Sequence, residues 1–156
     1  MCGTPRARIA MKDGSKRSQS TLKPVTRAVK KSIWAVVAGV LFIVVVTTLV
    51  DIVLHTIHVY PPMDQPMNDS LALLATAYRI VVSVAGAWLT ARLAPANPMT
   101  HAMILGYVGV VLGLVGLAAT WNAGLGPRWY PVALVVLAIP QCWAGGRIYE
   151  AMAAQR

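Results

Sequence analysis

Apolar and polar positions alternate along this chain on a long scale. Four unbroken apolar stretches, at about 33–54, 71–93, 103–120 and 130–148, are separated by short polar segments. Each stretch is close to the ~20 residues that carry a helix across a hydrocarbon core. The punctuation between them is Pro61, Pro62 and Pro66, then Pro95 and Pro98, then Gly124, Gly126 and Pro127. The first stretch is rich in β-branched residues, yet its unbroken length predicts a helix, with a continuation to Val59. In lipid a helix also satisfies every backbone group internally. The pattern therefore predicts an all-α integral membrane protein, a four-helix bundle. A basic segment precedes the first stretch, but the apolar run exceeds the roughly 7–15 residues of a signal peptide, so it reads as a retained span.

Composition sharpens this picture. Hydrophobic residues make up 57% of the 156 positions and charged residues 12%, whereas soluble domains carry about 25% charged residues. A water-soluble globule, a disordered chain and a disulfide framework are excluded. The formal charge of +9 is uneven. Residues 1–28 hold seven Lys/Arg against Asp13 alone, and lack aromatics for stacking on bases, so no nucleic-acid partner is expected. Orientation follows the bias of Lys and Arg near span ends. Lys30, Lys31, Arg92, Arg147 and Arg156 fall on one side and only Arg128 on the other, which places the N-terminus and C-terminus in the cytoplasm. Tyr60, Trp121, Trp129 and Tyr130 then mark the outer boundary, and Trp34, Trp88, Trp143 and Tyr149 the inner one.

Small residues predict packing seams. Gly106, Gly109, Gly113 and Gly116 lie on one face of the third span, where they allow close approach of another helix. The second span has a comparable face in Ala75, Arg79, Ser83, Gly86 and Thr90, which turns Arg79 into the bundle. A cation there is costly, about 2.5–3.5 kcal/mol near mid-membrane on insertion scales. Asp51, in the antiparallel first span, is the carboxylate expected to pair with it. Pro140, inside the fourth span, predicts a kink.

Candidate chemistry is sparse. Asp51, His55 and His58 have the i, i+4, i+7 spacing of one helical face, a sensible ligand set for zinc, copper or iron. A converging ligand from elsewhere is needed, for which only Asn122 and Tyr78 offer themselves, and histidines at a membrane boundary serve commonly as polar anchors, so no metal and no cofactor is expected. Cys2 and Cys142 lie in unlike settings with no zinc spacing. Phosphate loops, HExxH, GxSxG and CxxC are absent, and the chain is not expected to be an enzyme.

From Trp34 to about Arg147 the chain resembles a group of small bacterial four-span membrane proteins with no assigned function. The strings that carry the likeness are DIVLHTIHVYPP, TAYRIVVSVAGAWLTARLAP, NPMTHAMILGYVG and GPRWYPVALVVLAIPQCWAGG. The resemblance implies a bacterial inner membrane and a start near Val29; residues 1–28, polar and basic and without apolar periodicity, are expected to be disordered or untranslated. The expected organisation is a basic tail at 1–32, a transmembrane domain at 33–148 and a short cytoplasmic tail at 149–156. The leading functional expectation is an accessory or interaction component of the inner membrane. Its partners are the bilayer and either another membrane protein or a second copy. The alternatives are an oligomeric conductor of small solutes or ions, with Asp51 and Arg79 on the path, and a metal- or haem-binding redox component.

Overall fold

The computed structural model describes the backbone of residues 5–61, 65–124 and 126–155, with side chains from Val29 onward. Four helices follow in order, α1 (Pro5–Thr56), α2 (Asp69–Leu93), α3 (Pro98–Thr120) and α4 (Trp129–Ala154). All four are long and apolar enough to cross a membrane, α1 through its segment Val29–Thr56. The protein is thus an all-α, multi-pass membrane bundle. The expectations for residues 1–28 lie outside the residues described in full.

Helix ends depart from the apolar stretches where local chemistry sets them. α1 does not reach Val59. His58 takes a left-handed φ of 58°, the Val59 amide donates to the Leu54 carbonyl at 3.0 Å and the His58 amide to that of His55 at 3.1 Å. These are the two bonds of a Schellman ending, in which the left-handed position is usually glycine. α2 starts earlier than its apolar residues because the Asn68 side chain accepts from the Leu71 amide at 2.9 Å. α3 starts at Pro98, whose missing N–H is harmless in a first turn, after Asn97 at φ 47°. α4 continues to Ala154 and takes most of the expected C-terminal tail into the helix.

Around the bundle the helices follow one another as α1, α2, α4, α3. Contacts of α4 with α2 and α3 are extensive, α1 rests on α2 and lightly on α3, and α1 and α4 do not meet. Contact is made through small residues. A side chain at Gly145 would strike the Val84 carbonyl and Ala87 on α2, and one at Gly146 would strike Met99 and Ala102 on α3. At Gly39 it would strike Thr90, with the Gly86 carbonyl and Leu105 beside it. With no hydrophobic drive between helices in lipid, such close approach supplies the packing energy. Buried hydroxyls bond within their own helices: Thr76 donates to the Ala72 carbonyl at 2.8 Å and Thr90 to that of Gly86 at 3.0 Å.

Candidate functional site

The seams close the end of the bundle that carries the termini and leave the loop end open. Ala87, Ala102, Leu105 and Cys142 form the buried core at the closed end, with Val36, Val40 and Ile43 of α1 packed against it. The third-span glycines explain the opening. Gly106 lies against Cys142 and Ala138, Gly109 against Ala138, and Gly113 against Val135, so these three make an intramolecular seam with α4. Among the described residues nothing lies within 4 Å of a Cβ built at Gly116. Beyond the seam the space is a chamber of about 720 Å³.

The chamber is bounded by all four helices. Its floor is set by Val40, Leu105 and Cys142, and it extends to Trp121, Asn122 and Arg128 in the α3–α4 loop. On one side stand Val44 and Thr47 of α1, on the other the bare backbone at Gly109, Gly113 and Gly116 of α3. Volume exists there because glycine has nothing to fill it. Polar groups on the wall are Arg79 and Ser83 of α2 and Tyr130 and Gln141 of α4. On the side of the chamber between α1 and α3 these two helices touch only lightly.

Arg79 is held by a polar cluster at the α1–α2 boundary. Its Nη2 donates to Asp51 Oδ2 at 2.7 Å, and its Nε to the Tyr78 hydroxyl at 3.2 Å. The Tyr78 hydroxyl in turn donates to Asp51 Oδ1. Both carboxylate oxygens are therefore engaged. The register that brings the pair together is set at the Gly39–Thr90 closure. Asp51 lies twelve residues beyond Gly39 and Arg79 eleven before Thr90, rises of about 18 and about 17 Å on antiparallel helices.

Tyr60 covers this cluster from the α1–α2 connector. It is 4% exposed, its ring meets that of His55 edge-on at 5.3 Å, and its buried hydroxyl has no hydrogen-bond partner among the described residues. Burial pushes its pKa above the usual 10, offset in part by the nearby Tyr78 hydroxyl, and the Asp51 charge pushes the same way as burial. Composition marked Tyr60 as a boundary aromatic; the Schellman ending turns it back over the bundle instead.

The three candidate metal ligands are not brought together. Asp51 is bonded to Arg79 and Tyr78, and the His55 ring meets the Asp51 carbonyl at 2.9 Å through Nδ1. His58 has left the helical face in the turn. Among the described residues no group of three His, Cys, Asp or Glu side chains gathers to hold a metal ion. Cys142 is buried on the chamber floor, with no disulfide partner among the described residues.

Arg128, at the mouth, stacks over the Trp121 ring at 5.6 Å. The expected inner-boundary anchors pair in the same manner, Arg92 over Trp88 at 5.3 Å and Arg147 over Trp143 at 5.8 Å. A further link holds the loop end together: Trp129 Nε1 donates to Asp69 Oδ1 at 2.6 Å and ties the start of α4 to that of α2. Neither a family model, nor a curated protein, nor a solved structure matches this chain.

Proposed function

We propose that this chain is a non-enzymatic component of a bacterial inner membrane that holds a small, largely apolar molecule within its bundle. The chamber carries this reading. Its volume of about 720 Å³ falls within the roughly 300–1,000 Å³ of small-molecule sites, which are mostly apolar with a few placed polar groups. Arg79, Tyr130 and Gln141 supply such groups on a wall otherwise made of aliphatic side chains and glycine backbone. The chamber ends on a packed core at the terminal side, a shape that suits holding a molecule better than conducting one. Lys30, Lys31, Arg92 and Arg147 at the closed end support its cytoplasmic placement. The resemblance drawn from the sequence supports the bacterial inner membrane.

Binding of a polarity-sensitive naphthalene dye to purified protein tests the reading. Gly116→Leu places a side chain in the chamber without touching the α3–α4 seam. It should weaken dye binding at least about tenfold, the scale that a single methylene sets in an apolar pocket. Equal binding by wild type and Gly116→Leu would show that the chamber is not the site.

A further inference from the structure

Resting on that reading, we infer that the chamber takes an anionic phospholipid from the leaflet at the loop end, its headgroup on Arg128 and one acyl chain inside. Three observations converge. The most loosely closed side of the chamber is the one between α1 and α3, which meet only lightly. A membrane lipid can therefore enter without leaving its leaflet, which a water-borne ligand could not do through the same gap. The chamber also runs lengthwise, from the headgroup level at Trp121 and Arg128 down to Leu105 and Cys142. From Thr120 to Leu105 is fifteen residues of α3, about 22 Å of helix at 1.5 Å per residue. That is a slot with the length of an acyl chain beneath a polar mouth at the headgroup level.

The sign of the charge selects the headgroup. Arg128 is the one Lys or Arg in either loop at that end of the bundle, and it sits on the chamber mouth. Its guanidinium carbon lies over Trp121, 5.6 Å from the ring centroid, and no carboxylate among the described residues lies within ion-pairing distance of it. A guanidinium without a carboxylate partner presents a fork of N–H donors that matches two phosphate oxygens at once. Arg79 is different. Its charge is met by Asp51, so it offers donors to an ester carbonyl deeper in the slot without attracting an anion. Asn122 at the mouth adds an amide for the headgroup.

Native mass spectrometry of the full chain in detergent tests this with phosphatidylglycerol and phosphatidylcholine of identical acyl chains. Wild type should retain phosphatidylglycerol about fivefold better, the attraction one basic residue exerts at a membrane surface. Arg128→Gln should bind both lipids equally, Arg128→Lys should restore the preference, and Gly116→Leu should retain neither lipid. Arg128 is exposed, so these variants leave the core untouched. Inorganic phosphate at millimolar concentration should not displace the lipid; displacement would mean a free-phosphate site and overturn the proposal. Equal retention by wild type, or a preference that survives Arg128→Gln, would overturn the headgroup assignment while leaving the chamber reading intact. Retention of both lipids by Gly116→Leu would overturn the chamber reading itself. A lipid-free dimer would overturn the lipid assignment by showing that a second copy fills the slot.

Discussion

Asp51 shows how one side chain can be both expensive and indispensable. It and Arg79 retain 30% and 31% exposure, so neither is fully removed from solvent, and breaking the pair should cost less than the roughly 3–5 kcal/mol of a deeply buried one. We expect Asp51→Ala to lower unfolding stability in detergent by about 1–3 kcal/mol, because Arg79 then faces the bundle uncompensated. The exchange Asp51→Arg with Arg79→Asp should recover part of that loss. Single variants as stable as wild type would show that the pair does not hold the bundle. Tyr60 predicts the opposite sign. Its hydroxyl is buried and has no partner among the described residues, so Tyr60→Phe should leave stability unchanged or raise it by up to about 1 kcal/mol. Because the folded pKa of Tyr60 lies above the unfolded one, the contribution of this phenol is fully present below about pH 10 and is lost as pH rises through the folded value. Thermal melts in wild type should therefore show an alkaline decline that Tyr60→Phe reduces.

At the scale of the helix, glycines of identical chemistry do different work, and their surroundings decide which. A methyl at Gly145 or Gly39 runs into a neighbouring helix, while one at Gly116 meets nothing. Gly145→Ala and Gly39→Ala should each destabilise by about 1–3 kcal/mol, the usual cost of overpacking. Gly116→Ala should stay within about 0.5 kcal/mol of wild type. Equal effects at all three positions in a denaturant titration would contradict this division of the glycines. The α1 terminus offers a gain: the left-handed φ of His58 burdens any side chain by about 1–2 kcal/mol, so His58→Gly should stabilise the Schellman ending. Spacing alone placed His58 on the face of Asp51 and His55, since histidine is not the usual sign of a helix end.

For the whole molecule, four helices joined by short connectors bring both chain ends to one side, and charge says which side that is. Reporter fusions at Asn97 and at the C-terminus should read cytoplasmic, and a fusion at Met67 periplasmic. A periplasmic C-terminus would overturn the orientation and place the chamber mouth in the opposite leaflet.

The number of helices and their apolar character were determined by sequence alone, because hydrocarbon leaves a chain of this composition one way to satisfy its backbone. So were the glycine face of α3 and the inward turn of Arg79, which follow from helical periodicity. Tertiary structure decided the rest. Periodicity reports which face is small but not what meets it, and so could not show that Gly106, Gly109 and Gly113 take α4 while Gly116 takes empty space. Nor could it set the axial register of α1 against α2, which the contact of Gly39 with Thr90 fixes and which brings Asp51 to Arg79. The chamber belongs to this second group entirely. It is the volume left where helices held tightly at one end part at the other, a property of their arrangement that no local stretch of residues contains.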